Sequence, residues 1–265
     1  MSFSSNSTSK PVVLAAVAHA DDVEFLFSGT LLLLKEAGCP IHMWNLLDGA
    51  CGTLTHSRDE IVRLRAAEAA RSAAIAGAEI HSPIFSDLEI FYDKPSLAAV
   101  SARVRTIRPQ IILTHSPMDY MEDHQNVCRL ITTAAFSRAM PNFVTEPACP
   151  SYADPVRIYH APPHGLRDGL NHIFRPDLLV DIGSTMETKG RMLACHESQH
   201  AWLGDSQGME APVGEMRGLC RTMAGWGRDM EFAECWRRHS HLGFCHADFD
   251  PLCDNLRDFL QLLTP

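Results

Sequence analysis

Two short stretches concentrate side chains able to bind a metal and to move protons. In Ala18-His19-Ala20-Asp21-Asp22-Val23-Glu24 an imidazole precedes two adjacent carboxylates and a third one. In HSPMDYMEDHQNV (115–127) histidines and acidic residues again share one segment, with His124 opening a helical pattern. Two imidazoles plus a carboxylate make a three-ligand zinc set with a fourth position open for water. A spare carboxylate beside it can serve as general base. Taken singly, each stretch has an ordinary structural reading, because an Asp at a helix start caps it and a loop His is solvated. The chemical reading requires both stretches to meet.

A third stretch, His196-Glu197-Ser198-Gln199-His200, spells the zincin protease motif. On a helix its two imidazoles would share a face, with the Glu as general base. A zincin also needs a third ligand. The metzincin continuation wants Gly and His where this chain has Leu203 and Ser206, and no motif surrounds the later Glu215 or Glu231. The metal is therefore expected elsewhere.

The elements that would carry the first two stretches alternate between strand and helix. VVLAAVA (12–18) is an apolar run of the kind buried on both faces of a sheet. A helix is expected from Asp22 to Ala37, before Gly38 and Pro40, and a strand at 41–47. Helical spacing follows over 58–78, then a weak strand in EIHSPIF, a helix in SLAAVSARVRTIR and a strong strand at IILTH (111–115). A helix over 124–140 and strands in VRIYHA and LLVDIG complete the alternation, and the chain after Thr185 reads as mostly helical. This pattern predicts a doubly wound, Rossmann-like α/β fold with a mainly parallel sheet and a helical C-terminal cap at 186–265. The domain is expected to span 11–265, after a polar tail at 1–10. In such sheets ligands bind beyond the carboxyl ends of the strands where strand order reverses. In the commonest order the first and fourth strands are neighbours there, which would bring His19 and His124 together.

Composition narrows the function classes. The chain has 265 residues, 46% of them hydrophobic and 21% charged, enough for one full core. A formal net charge of −9 opposes nucleic-acid binding, which needs a basic face. Nine cysteines contain no C-x-x-C pair and read as reduced thiols. The opening MSFSSNSTSK lacks the apolar run of a signal peptide, and no run reaches membrane-spanning length, so a cytoplasmic location without a membrane span is expected. A dinucleotide site would place glycines in the first loop. None occurs there before Gly29, and two carboxylates would repel a pyrophosphate.

With these residues in view, the chain resembles the PIG-L/LmbE-type zinc N-deacetylases, roughly from Pro11 to Gln199. The family's A-H-P-D-D-x-E is matched by Ala18 to Glu24, and its H-P-D-H by Met121-Glu122-Asp123-His124. Weaker matches are an R-x-x-E pair, Arg65 and Glu68, and an H-x-S-Q element, His196, Ser198 and Gln199. The resemblance implies that His19, Asp22 and His124 hold Zn²⁺ and that Asp21 is the general base for water. It implies that Arg65 contacts substrate, a small N-acetylated amino-sugar conjugate. Homo-oligomers are common in that family, so a homo-oligomer is also an open expectation.

Two departures matter. Ala20 stands for the family's Pro, and Met121 stands for a His that assists as an acid. A thioether cannot donate a proton. Asp21 must then make both transfers, or another acid is needed, for which His196 is the expectation. Asp123 and Tyr120 are further catalytic candidates, Tyr120 as an oxyanion donor. The loop 48–53 and the stretch 86–93 are expected to line the pocket, with Asp87 as the polar contact. Taken without the resemblance, Arg65 and Glu68 read as a surface ion pair, and Trp202, Trp226 and Trp236 as cap packing. The alternatives in activity are an amidase of the same fold acting on a larger acyl group or thiol-sugar conjugate, and a non-catalytic sugar- or nucleotide-binding module.

Overall fold

The apolar run near the start of the chain forms the central strand. In the computed structural model, which describes residues 9–207 and 211–263, β1 is Val13–Val17, with all five residues buried. The first half then alternates as expected: α1 (Asp22–Leu26), α2 (Ser28–Glu36), β2 (Ile41–Asn45), α3 (Arg58–Ala76), β3 (Glu79–His81), α4 (Lys94–Ile107), β4 (Ile111–Thr114), α5 (Glu122–Ser137) and β5 (Arg157–His160). Next come β6 (Leu178–Asp181), α6 (Met186–Leu193), α7 (Glu197–Gln207), α8 (Pro212–Ala224), β7 (Ala233–Arg238), α9 (Pro251–Asn255) and β8 (Leu260–Leu262). The sheet order is β3-β2-β1-β4-β5-β7-β6-β8. The strands from β3 to β5 run parallel, and β7 joins β5 antiparallel, as do β6 to β7 and β8 to β6. Two apolar cores cover the sheet. One packs α2, α6 and α8 on one face, and the other packs α4 and α5 on the opposite face.

Two local differences from the sequence reading have physical causes. The helix expected from Asp22 to Ala37 breaks at Phe27, whose backbone (φ −152°, ψ 18°) leaves the helical region. The break opens a new helix N-terminus whose first amides need acceptors. Glu234 supplies them: its carboxylate accepts from Gly29 N at 2.8 Å and from Thr30 N at 2.6 Å. The section after Thr185 is not helical throughout: α6, α7 and α8 are followed by β7 and β8, which flank the short α9. The chain then re-enters the sheet as β7, because Ala233, Cys235 and Trp236 are fully or almost fully buried in the core and Glu234 is needed inside. Residues 1–8 of the expected tail lie outside the described residues.

Glu234 is also paired with Lys189 Nζ at 2.7 Å, both side chains being out of solvent. Removing one partner from such a pair leaves an uncompensated buried charge. Lys189→Met is expected to lower stability by about 3–5 kcal/mol, whereas Lys189→Met with Glu234→Gln restores much of it. Denaturant midpoints of the two variants test this, and a single variant as stable as wild type would refute it.

Candidate active site

The register of the sheet brings the two chemical stretches together. β1 pairs with β4 (Val13 opposite Ile111, Ala16 opposite Thr114), so the loops leaving both strands emerge side by side. The turn after β1 is fixed by unusual contacts. Ala18 N–H donates to His115 Nε2 at 2.9 Å, and His19 N–H donates to Asp22 Oδ2 at 2.7 Å. Asp21 occupies left-handed backbone (φ 111°), a conformation that costs a non-glycine residue about 1–3 kcal/mol and clusters at functional sites. The turn thereby presents His19, Asp21 and Asp22 to one cleft.

That cleft holds about 270 Å³, and its walls include His19, Asp21, Asp22, Tyr120, Asp123 and His124. His19 Nδ1 lies 3.6 Å from Asp22 Oδ2, and His124 Nε2 lies 3.6 Å from Asp22 Oδ1. One ligand atom from each of the three falls within 4.8 Å of the others. Ligands at 2.0–2.1 Å around a tetrahedral metal stand roughly 3.3 Å apart, so the spacing suits one small cation. The electrostatics agree. Burial opposes the charged form of His19, but its contacts with Asp123 and Asp22 outweigh that and raise it to about 10. Burial likewise opposes charge on His124, yet Asp22 and Asp119 raise it. Burial would raise Asp22, but His124 first, with His19, holds it well below the usual carboxylate range. The site demands positive charge, and this donor set fits a divalent cation. His115, Asp119 and His124 also converge. His115 Nε2, however, already accepts the Ala18 amide, so the neutral ring carries its proton on Nδ1 and has no lone pair left.

Each of the two histidines is backed by a carboxylate. Asp123 Oδ2 lies 3.2 Å from His19 Nε2 and accepts from Leu88 N–H at 3.2 Å. Asp123 therefore orients His19 instead of the absent His at position 121. Asp119 Oδ1 lies 3.1 Å from His124 Nδ1. Such partners fix the tautomer and ring orientation of a metal-binding His. His115 stacks on His124 with ring centroids 4.0 Å apart and planes at 6°. For Asp21, burial first and Asp22 second raise the carboxyl to about 7. Burial, with Asp22, Asp119 and Asp21, pushes the Tyr120 phenol to about 12, keeping it a hydrogen-bond donor.

The other expected contacts are placed as follows. Arg65 and Glu68 are both buried and do not form a surface pair. Arg65 reaches the cleft while donating to Gly52 O at 2.9 Å, and its guanidinium group lies where a Cβ on Gly49 or Gly52 would collide. Asp87 lines the cleft and accepts from Gly49 N at 2.8 Å and Cys51 N at 2.9 Å, so it holds the glycine loop. Glu68 accepts from Ser198 N–H at 2.9 Å and from Ser198 Oγ–H at 2.6 Å, anchoring the start of α7. His196 is fully buried beside Glu24 Oε1 at 3.2 Å, and Glu24 also accepts from Ser72. His196 lies outside the cleft lining, and its charge partly offsets the upward push of burial and Asp22 on Asp21. Among the described residues, no metal-capable group includes His196 or His200. Trp236 is buried and donates to Thr30 Oγ1 at 3.2 Å, and Trp226 packs against the core, whereas Trp202 lines the cleft.

Sequence reasoning missed Asp119 and His115, although both lie in the segment that carries His124. It also missed His164, which lines the cleft from the loop after β5 and packs on Phe25 at 4.9 Å. No signal marked His164, because nothing around it in the sequence repeats a ligand spacing.

A family model described as GlcNAc-PI de-N-acetylase, PIG-L, matches residues 14–135. A diacetylchitobiose deacetylase from Thermococcus kodakarensis is 30% identical over 194 residues, covering 71% of this chain and 69% of the relative. The chain belongs to the PIG-L family. A second relative, a 4-oxalmesaconate hydratase from Pseudomonas putida, is 26% identical over 205 residues, covering 74% of this chain and 77% of its own. Among solved structures, the N,N'-diacetylchitobiose deacetylase of Pyrococcus horikoshii superposes with a TM-score of 0.74 at 21% identity, covering 91% of this chain and 88% of that one. At that identity it attests the shared α/β fold. Among the described residues no helix is long and apolar enough to cross a membrane.

The backing carboxylates yield a test. Asp119→Asn is expected to weaken divalent-metal binding about 10–100-fold without unfolding the chain. His19→Ala and His124→Ala are expected to strip the metal from this centre. Competition with a chromophoric chelator measures all three, and unaltered affinity in Asp119→Asn would remove its assigned role.

Proposed function

We propose that the chain is a zinc-dependent N-deacetylase acting on an N-acetylated amino-sugar conjugate. The observation that carries the proposal is the convergence of His19, Asp22 and His124 in one cleft with Asp21 on its wall. Zinc held by these three side chains supplies electrophilic polarisation of an amide carbonyl and a more acidic water. The donor set of two imidazoles and one carboxylate suits a borderline cation of this kind.

The remaining work falls to the protein's own groups. Asp21 takes the proton of the attacking water as the new C–O bond forms. It then returns that proton to the departing nitrogen as the C–N bond breaks, giving acetate and a free amine. The thioether of Met121 leaves this double use as the most economical route. His196 acts through Asp21 as a positioning residue: it is buried, and its partner Glu24 is three residues along the same turn. Tyr120, a protonated phenol on the cleft wall, would donate its O–H to the carbonyl oxygen as negative charge develops there. Arg65 holds the glycine loop against the cleft, whose wall also includes Trp202.

The hydratase relative motivates a competing activity, addition of water to an unsaturated acid. Charge argues for the amide substrate. Even with a divalent ion held by His19, Asp22 and His124, the described lining carboxylates Asp21, Asp22, Asp87 and Asp123 outnumber the charges of the ion and Arg65 by one. A neutral acetamido sugar meets less repulsion there than a polycarboxylate does.

Acetate release from a panel of N-acetylated mono- and disaccharides tests the reading. Asp21→Asn is expected to retain metal and fold while lowering kcat about 10²–10⁴-fold. His196→Ala is expected to keep the metal and to lower both Tm and kcat, while His200→Ala stays near wild type. No acetate from any acetamido sugar, together with hydration of an unsaturated dicarboxylate, would overturn the deacetylase proposal.

A further inference from the structure

A second set of metal-capable side chains lies on the edge of the sheet, away from the cleft. β3 is an edge strand of three residues that pairs parallel to β2, with His42 opposite Glu79 and Trp44 opposite His81. Side chains two residues apart on a strand share a face. Glu79 and His81 therefore project on the same side as His42. His42 Nδ1 lies 3.0 Å from His81 Nε2 and 3.6 Å from Glu79 Oε2, and the three ligand atoms all fall within 4.8 Å of one another. The two imidazole rings are nearly parallel, with planes at 14° and centroids 5.2 Å apart.

We propose that His42, Glu79 and His81 form a second binding site for a divalent late transition metal, zinc being the reference ion. A simple His–His hydrogen bond accounts for the 3.0 Å contact but leaves the approach of the carboxylate unexplained. Ligand atoms around a tetrahedral ion stand roughly 3.3 Å apart, between the two distances found here. Imidazole with carboxylate is a donor set that suits zinc, copper or nickel. His81 is buried and His42 mostly so, whereas the Glu79 side chain is 66% exposed, which leaves an approach and an open position on the solvent side. Burial lowers both imidazoles, with His42 and Arg103 adding to the effect at His81, so their lone pairs are free near neutrality.

The site is independent of the catalytic one. None of His42, Glu79 and His81 lines the catalytic cleft, and β2 runs on to Asn45 before the chain reaches the cleft residues Cys51 and Gly52. A metal here would staple the three-residue edge strand to β2. It contributes no group to the chemistry of the cleft.

The experiment titrates Zn²⁺ into the chain already loaded with one equivalent, by calorimetry. One further equivalent is expected. Ni²⁺ present at about a hundred times its dissociation constant should raise Tm by about 5–10 °C. Glu79→Gln, at an exposed position that does not threaten folding, should weaken the second equivalent about tenfold or more, and His42→Gln should abolish it. In both variants acetate release from the best acetamido substrate should be unchanged. In a His19→Ala/His124→Ala chain the second equivalent should persist while the first is lost. Absence of a second equivalent, or one that binds equally well to wild type, Glu79→Gln and His42→Gln, would overturn the proposal by assigning the uptake to scattered surface histidines.

Discussion

Burying a carboxylate without a compensating charge costs several kcal/mol, and the carboxyl end of this sheet buries many. Asp21, Glu24, Glu68, Asp87, Asp119 and Asp123 are all largely out of solvent, and Asp22 lies among them. Each must be answered by a cation or by hydrogen-bond donors, and the answers define the architecture. Asp22 draws on His124 and on the ring and amide of His19, Glu24 on His196, and Asp87 on the amides of the glycine loop. Even so, His19 and His124 are pushed toward their charged forms, which marks a deficit of positive charge at one point. A divalent ion at that point satisfies the deficit without requiring the imidazoles to keep protons.

The same requirement ties distant segments together. Glu24 follows the first strand and reaches Ser72 of α3 and His196 at the start of α7. Glu68 of α3 receives both Ser198 groups of α7. Two weak sequence elements, R-x-x-E and H-x-S-Q, thus explain one another: the Glu of the first accepts from the Ser of the second. Arg65, released from pairing with Glu68, is free to hold the loop after β2. Farther away, Glu234 repeats the device, answering the amides of a broken helix and Lys189 at once. A charge placed inside serves as a joint between elements, and the left-handed turn at Asp21 is held in place by those joints.

Much of this was legible in the chain itself. Runs such as VVLAAVA and IILTH are apolar on both faces and have one stable place, in the middle of a covered sheet. Alternation with helices then makes parallel neighbours of the first and fourth strands, so His19, Asp22 and His124 could be brought together on paper. Identity at short range also carried chemistry: a Met cannot replace an acid, whatever surrounds it. Tertiary structure alone decided which polar side chains pair. The i, i+3 spacing of Arg65 and Glu68 permits a surface bridge, but burial between α3, the glycine loop and α7 separates them. His196 has the right type for an acid yet is buried beside Glu24, outside the cleft lining. Asp119, His115 and His164 come to the site through the register of β1, β4 and β5, and His42, Glu79 and His81 converge through that of β2 and β3. Local sequence sets which residues can form a strand or a helix, because propensity and periodicity act over a few positions. Which charges and hydrogen-bond donors must answer one another depends on what burial brings within a few ångströms, across separations such as the 205 residues between Gly29 and Glu234.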